Sequence, residues 1–187
     1  MCIRDSPKTF ASELEKALEH SAALERDIQL DPMTRLYNRK YTEQHIKRLL
    51  AQEKASGFLF LLDLDGFKRV NDLHGHQMGD ALLKRFAAML AKLAGPEDIA
   101  GRIGGDEFML FLPGPTCREA GAERASQIIN ETRKIFQEMH FRQGCSIGVA
   151  TVIEGGLTFE EAYRRADEAL YRAKAAGKST YCWERDA

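Results

Sequence analysis

The feature of the sequence that most restricts the fold is a glycine pair, Gly104-Gly105, between two runs of strand-forming residues. Adjacent glycines in this setting predict a tight β-hairpin, because both central residues of a type I′ turn need a positive φ. Asp106 and Glu107 follow the glycines directly. An ordinary solvated hairpin accounts for such a turn taken alone, whereas carboxylates on a tip held by buried strands are typical of a site for a hard cation. The rest of the chain decides between these two interpretations.

A second restriction comes from the continuous apolar run Phe58–Leu62, which predicts a central strand buried on both faces. Polar and acidic residues follow it over 63–80, and α/β sheets place ligands at the ends of such strands. A calcium-binding EF-hand loop is excluded, since its sixth and twelfth positions are Lys68 and His74 instead of glycine and glutamate. His74 and His76, without a third soft ligand nearby, do not predict a zinc site.

Hydrophobic periodicity predicts the other elements of the chain. The predicted helices are 39–54, 80–93, 116–140 and a last one that a Thr158–Glu161 capping box opens and Gly177 ends. The predicted strands are 58–62, 99–103, the run from Phe108, 145–152 and 180–183. A hairpin between two strands, with helices between the others, predicts an α/β (α+β) fold. We expect a ferredoxin-like, palm-type mixed antiparallel sheet covered by helices.

The chain is predicted to divide into an N-terminal helix, residues 1–30, and one domain, residues 31–187, because Pro32 cannot continue a helix. Apolar or small residues recur in the helix at alternating spacings of four and three, from Phe10 to Ile28. Two interpretations of this short seam stay open. It is either a coiled-coil stalk, which pairs with a second subunit or continues upstream, or a helix that packs on its own domain.

Composition excludes several classes of protein. The net charge of −1 argues against a nucleic-acid binder that works through a basic surface. No apolar run is long enough to form a membrane segment, and no secretory signal pattern is present. The four cysteines are scattered without a Cys-x-x-Cys pair, which fits neither a zinc site nor a disulfide framework. We therefore expect a cytoplasmic location.

In the predicted sheet, the end of the central strand and the hairpin tip can lie side by side. Asp63 and Asp106 would then face each other, and their repulsion would raise a pKa if no cation were present. A divalent ion removes that cost, and two-metal phosphoryl chemistry uses such a carboxylate pair.

Several motifs in order resemble the GGDEF domain of diguanylate cyclases, which join two GTP molecules into cyclic di-GMP. The motifs are Asp31–Lys40, Asp63–Asp80, Gly104–Phe108, Ser146–Ala150 and Arg165–Lys174. The resemblance covers residues 31–183. Three positions depart from the family pattern. Arg35 stands where glycine is usual, Lys178 replaces an arginine, and Gly95 replaces the arginine of an Arg-x-x-Asp site that binds product.

The resemblance implies that Asp63, the Leu64 carbonyl and Asp106 hold Mg²⁺ (or Mn²⁺), with Glu107 beside them and two ions per active site. It also implies that Asp106 or Glu107 helps to deprotonate the ribose 3′-hydroxyl. Lys68 is counted with these catalytic residues as a cation that contacts phosphate.

The resemblance further implies a set of residues that bind substrate. They are Phe67, Asn71, His76, Asp80, Gly104, Gly105, Lys174 and Lys178. Asn71 and Asp80 read the guanine, with His76 close by, and a carboxylate acceptor suits the guanine N1–H and N2 amine. Lys174 and Lys178 meet the phosphates.

Each domain would hold one GTP, so a homodimer is part of the implied mechanism. An upstream sensor domain is expected in the full-length protein. One alternative is a catalytically silent module that binds GTP or a protein partner, although no signature residue is missing. A palm-like polymerase or another nucleotide cyclase would fit the sheet and the metals but not the guanine pair Asn71 and Asp80.

Overall fold

A computed structural model of the chain describes residues 29–114, 116–153 and 157–185. Within these ranges lie six strands and five helices. The strands are β1 (Tyr37–Asn38), β2 (Gly57–Leu64), β3 (Ile99–Arg102), β4 (Glu107–Pro113), β5 (Cys145–Val152) and β6 (Tyr181–Trp183). The helices are α1 (Arg39–Leu50), α2 (Phe67–His74), α3 (His76–Leu93), α4 (Arg118–Glu138) and α5 (Phe159–Ala175). The seam between Phe10 and Ile28 lies outside the described residues and stays a prediction.

The six strands form one mixed sheet in the order β1-β3-β4-β2-β5-β6. At its centre β2 runs antiparallel to both β4 and β5, and β3 and β4 form an antiparallel hairpin. The outer pairs, β1 with β3 and β5 with β6, are parallel. This arrangement confirms the predicted fold class.

The central strand β2 is buried on both faces, as its sequence predicts. Phe58, Phe60 and Leu62 join the core beneath α3 and α4, whereas Leu59 and Leu61 join the core beneath α1 and α5. None of these five side chains is more than 3% exposed. Because neighbours on all sides fix β2, its last residues have a fixed position at the edge of the sheet.

The last helix begins as predicted, since the Thr158 hydroxyl accepts a hydrogen bond from the Glu161 N–H at 3.3 Å. The prediction for α1 was too long, because that helix ends at Leu50 and the exposed residues 51–54 add no apolar contact with the core. None of the described helices is both long and apolar enough to span a bilayer.

One short helix and the first turn of a longer one occupy the polar stretch 63–80, in which sequence predicted no helix before Asp80. The helix α2 contributes one buried residue, Val70, so it lacks the repeated apolar spacing that marks a helix in sequence. The next helix, α3, begins at His76 rather than at Asp80. Gly75, with a φ of 82°, separates the two helices.

The connection between β3 and β4 differs from the predicted type I′ turn. Four residues separate the strands, and neither Gly104 nor Gly105 has a positive φ. The Ile103 and Gly104 N–H groups both donate to the Glu107 carbonyl, at 2.9 and 3.3 Å. The predicted hairpin is therefore confirmed, but the predicted turn type was wrong because these bonds form a wider tip.

Candidate active site

The ends of β2, β4 and β5 meet at one edge of the sheet. Asp63 of β2 lies opposite Glu107 of β4 and Ser146 of β5. The Leu64 N–H donates to the Asp106 carbonyl at 3.2 Å, which ties the hairpin tip to β2. The structure therefore brings together the four residues that the resemblance implies for metal binding.

The two aspartates of this edge are partly buried, and burial changes their acidity. Burial raises the pKa of Asp63, whose side chain is 14% exposed, and the charge of Asp106 adds to the rise. The Lys174 ammonium, 2.7 Å from the Asp63 carboxylate, opposes it. Burial also raises the pKa of Asp106, with a further contribution from Glu107. The expected repulsion between neighbouring carboxylates therefore contributes to the raised pKa values, but burial is their larger cause.

These residues fit a hard divalent cation. Carboxylate and carbonyl oxygens are the ligands that Mg²⁺ prefers, and it commonly takes one or two carboxylates together with substrate phosphates. In the described part of the chain, no group of three or more His, Cys, Asp or Glu side chains is arranged to hold a metal. Asp63, Asp106 and the Leu64 carbonyl would therefore form an incomplete shell, which the phosphates of a nucleotide can complete.

A second polar feature lies on α2 and α3. The Asn71 Oδ1 atom is buried and has no hydrogen-bond partner among the described residues. Gly79 makes this position possible, because a Cβ atom there would overlap Oδ1. A buried acceptor without a donor costs free energy, so this oxygen fits an N–H group of a ligand.

The other residues implied for substrate binding have different environments. Asp80 follows Gly79 on α3 and is partly buried, and His76 is exposed at the start of the same helix. Phe67 packs against the core, so its side chain supports the base of α2. Lys68 is exposed on α2.

The hairpin tip has open space on one side and a clamp on the other. A Cβ atom at Gly105 would meet nothing within 4 Å, whereas one at Gly104 would overlap the Glu107 carboxylate. Arg102 donates to the Gly105 carbonyl from Nη2 at 2.7 Å and reaches the Asp31 carboxylate from Nη1 at 3.3 Å. Arg102 therefore holds the hairpin tip on one side, and the side next to Gly105 is open.

The Asp31 end of this clamp belongs to the first family motif. Burial favours a higher pKa for Asp31, but hydrogen bonds from Thr34 and the charge of Arg102 together hold its pKa below the ordinary value. Arg35, the departure from glycine, adopts a φ of 61°. Its N–H donates to the Asp31 carbonyl at 2.9 Å, so the turn keeps a left-handed residue without glycine.

The two C-terminal lysines lie on α5 and on the turn after it. Lys174 contacts Asp63, as described above, and so belongs to the acidic edge. Lys178 has an exposed side chain and a φ of 67°, and Ser179 after it has a φ of 49°. The sequence assigned these two lysines to the phosphates, but it did not show which contacts stabilise the turn that carries Lys178 and Ser179.

Two residues near the site were missed by sequence reasoning. Asp65 stands inside a family motif and Arg102 stands two residues before one, yet both have partners that lie far away along the chain. Arg102 meets Asp31 across 71 residues, and Asp65 meets Ser179 across 114 residues. The sequence indicated these two residues only as charged residues without an assigned role, close to residues that the resemblance had assigned to the site.

The sheet edge, with its paired carboxylates and lysine, defines a class of α/β domains suited to a metal-bound polyphosphate. The chain belongs to the GGDEF family, because the family model described as "Diguanylate cyclase, GGDEF domain" matches residues 28–180. This match confirms the resemblance that the motifs indicated.

Relatives and solved structures agree with that assignment. Diguanylate cyclase DgcS of Shewanella oneidensis is 32% identical over 184 residues, which cover 97% of this chain and 61% of the relative. Diguanylate cyclase DgcP of Pseudomonas aeruginosa is 37% identical over 182 residues, covering 94% of this chain and 26% of the relative. The crystal structure of the coiled coil and GGDEF domain of DgcB from Caulobacter crescentus, in complex with c-di-GMP, matches with a TM-score of 0.84 and 27% identity. That match covers 94% of this chain and 96% of the other. The chain spans less than two thirds of the length of the two cyclases DgcS and DgcP.

Proposed function

We propose that this chain is a diguanylate cyclase, which condenses two GTP molecules into cyclic di-GMP and pyrophosphate. The observation that carries the proposal is that Asp63, at the end of β2, lies close to Asp106 of the hairpin tip and beside Lys174. Membership of the GGDEF family and the named activity of its relatives support it.

In the proposed site, Asp63, Asp106 and the Leu64 carbonyl hold Mg²⁺ (or Mn²⁺), two ions per site, with Glu107 beside them. When bound, the ions neutralise charge on the triphosphate and on the phosphoryl oxygens during reaction. Lys174, together with Lys68 and Lys178, contacts the phosphates.

The proposed reaction joins two nucleotides held by two domains. The 3′-oxygen of one GTP bonds to the α-phosphorus of the other, and the bond from that phosphorus to the bridging oxygen of the β-phosphate breaks, which releases pyrophosphate. The proton of the 3′-hydroxyl passes to Asp106 or Glu107. The same step with the roles exchanged closes the ring.

Guanine selection is assigned to Asn71 and Asp80, with His76 nearby. The unpaired Asn71 Oδ1 supports this assignment, because guanine offers N–H donors on its Watson–Crick edge. Adenine lacks the N1–H, so the same acceptors would be left unpaired by it. The open space beside Gly105 is left for the nucleotide, Gly104 lies next to the Glu107 carboxylate, and Phe67 supports the base of α2.

A homodimer follows from this proposal, because one site holds one substrate. Residues 1–30 are proposed as the helix that brings two domains, residues 31–187, together. We further propose a cytoplasmic location and control by a sensor domain upstream.

Incubation with Mg²⁺ and GTP, followed by chromatography for cyclic di-GMP and pyrophosphate, tests the proposed function. We expect two pyrophosphates for each cyclic di-GMP, and no product with ATP or with excess chelator. Tight GTP binding without any product would reject the enzyme and favour the silent binding module.

A further inference from the structure

Asp65 is a buried carboxylate close to the candidate site that the proposed reaction does not use. Only 3% of the residue is exposed. It lies two residues after Asp63, so the sequence alone would allow both to be metal ligands. Burial of a carboxylate is unfavourable unless hydrogen bonds replace the lost water, so the partners of Asp65 indicate its role.

Both carboxylate oxygens of Asp65 are occupied by donors from other elements. Oδ1 accepts from the Ser146 hydroxyl at 2.7 Å, and Oδ2 accepts from the Ser179 N–H at 2.8 Å and the Ser179 hydroxyl at 3.3 Å. The Asp65 N–H donates to the Gly144 carbonyl at 2.9 Å. Asp65 therefore joins the end of β2 to β5 and to the turn after α5, rather than facing the metal edge.

The turn that Asp65 holds has an unfavourable backbone. Lys178 and Ser179 both have positive φ values, 67° and 49°, which residues with a side chain rarely adopt. Gly144 permits the close approach, because a Cβ atom there would lie 2.7 Å from the Ser179 hydroxyl. Two of the three bonds to the Asp65 carboxylate come from Ser179, so they stabilise this conformation.

We propose that Asp65 is a positioning residue for the triphosphate, which it serves by fixing the turn that carries Lys178. This inference rests on the proposed function, since it assumes a nucleotide at the acidic edge. Lys178 is bonded through its N–H to the Ala173 carbonyl at 3.2 Å, next to Lys174. Asp65 thus fixes Ser179, the residue directly after Lys178, and its loss should weaken contacts with the β- and γ-phosphates but not with the base.

The test compares a ligand that has the phosphate chain with one that lacks it. Calorimetry with Mg²⁺ measures the binding of α,β-methylene GTP, which cannot react, and of GMP. We expect Asp65→Ala to weaken the triphosphate analogue about tenfold, the effect of losing hydrogen bonds to a charged group, while GMP changes less than about twofold. Asp65→Asn should recover most of the affinity, because its amide oxygen can accept from Ser179 while its NH₂ group donates to the Ser146 hydroxyl.

Three further variants sharpen the result. Ser146→Ala, the matched control, removes a bond to the same carboxylate on the β5 side and should leave both affinities within about twofold. Ser179→Ala removes one bond on the turn side and should weaken the analogue roughly threefold. If thermal melting shows that Asp65→Ala does not fold, Ser179→Ala tests the role of Asp65 in its place. The criterion is again a weakened triphosphate analogue with unchanged GMP binding. In a Lys178→Ala background, Asp65→Ala should cause little further loss.

The outcomes separate the inference from the proposed function. Equal weakening of both ligands, an unchanged analogue, a Ser146→Ala effect like that of Asp65→Ala, or additive losses with Lys178→Ala would each overturn the role of Asp65. A wild-type protein that binds neither ligand would instead overturn the proposed function, and the inference with it.

Discussion

At one end of β2, Gly57 lies opposite Pro113 and Val152, and at the other end Asp63 lies opposite Glu107 and Ser146. Both ends use the same two neighbouring strands. At the first end a Cβ atom on Gly57 would overlap the Leu112 carbonyl, so the close approach of two backbones determines the residue. At the second end the strands bury part of the Asp63 carboxylate, next to the partly buried Asp106 of the hairpin tip.

The difference teaches which polar groups the fold itself requires. Burial raises the pKa of Asp63 and of Asp106, and the buried Asn71 oxygen has no partner among the described residues. These features cost free energy, and apolar residues would complete the same sheet at lower cost. We therefore interpret the acidic end as selected for ligand chemistry and the glycine end as selected for packing.

The largest effect is expected at the acidic end. Asp106→Asn should reduce cyclic di-GMP formation by about a thousandfold or more, because it removes charge from the proposed metal-binding edge and a proton acceptor from the proposed reaction. Turnover of the purified variant measures this effect. A variant with near-normal turnover would remove Asp106 from the mechanism.

The Asp106→Asn variant should lose activity without losing stability. Since the pKa of Asp106 is raised in the folded state, the folded protein binds that proton more tightly than the unfolded chain does. The contribution of Asp106 to stability is therefore fully present below its ordinary pKa of 3.8 and is lost as pH rises through the higher folded value. Denaturant unfolding without metal at pH 7 should find Asp106→Asn at least as stable as the wild type. A clear loss of stability would show that the fold needs this carboxylate.

Removal of the two residues proposed to recognise guanine should give the next largest effect. The double variant Asn71→Ala with Asp80→Ala should weaken GTP binding by about a hundredfold and change ATP binding little, because the lost acceptors are those that reject adenine. Competition binding with both nucleotides measures the selectivity. If the wild type binds GTP and ATP equally well, the assignment of this pair is wrong.

Enzyme concentration should change the specific activity by a smaller factor. The proposed reaction needs the acidic ends of two chains facing each other, so activity per chain should rise several-fold over the range in which dimers form. Deletion of residues 1–30 should move that rise to higher concentration. A constant specific activity from a protein that sedimentation shows to be monomeric would contradict the two-site reaction.

At the glycine end of β2, a substitution should change the stability of the protein but not its affinity for GTP. Gly57→Ala should lower the free energy of unfolding by about 1–3 kcal/mol, because the added methyl group forces β2 away from β4. The KM for GTP of the folded fraction should remain that of the wild type. A specific loss of GTP affinity would break the division between the two ends.

The smallest effect is expected from the product. Gly95 stands where an arginine would meet product, and Glu97 adds a like charge. The Asp98 carboxylate is already engaged by the Gly95 N–H at 2.8 Å and lies 3.8 Å from the Arg124 guanidinium. Titration of cyclic di-GMP into the assay should therefore give little inhibition through this site. Inhibition at low micromolar product that Asp98→Ala abolishes would contradict this expectation.

Sequence predicted those parts of the molecule that depend on neighbours along the chain. The bounds of β5 and the cap at Thr158 follow from local apolar runs and local hydrogen bonds. The helix α2 could not be predicted in this way, because Val70 is its one buried residue. The shape of the Gly104-Gly105 tip could not be predicted either, because it depends on the two hydrogen bonds that the Glu107 carbonyl accepts and on the bond from the Leu64 N–H to the Asp106 carbonyl.

The candidate site shows the same limit. The family motifs assigned Asp63 and Asp106, and the structure brings them together. The roles of Arg102 and Asp65 depend on partners 71 to 114 residues away, so no local pattern identifies them.

The long separation between Asp65 and its partners also has a consequence for folding. A contact between residues 114 positions apart forms only after a large loop has closed, and the pairing of β2 with β5 has the same requirement. Helices such as α4 can form early from local contacts, whereas the acidic edge is complete only when the whole sheet has closed. We therefore expect nucleotide binding to appear with the last kinetic phase of refolding, so that a partly folded chain has helix content but no capacity to bind GTP.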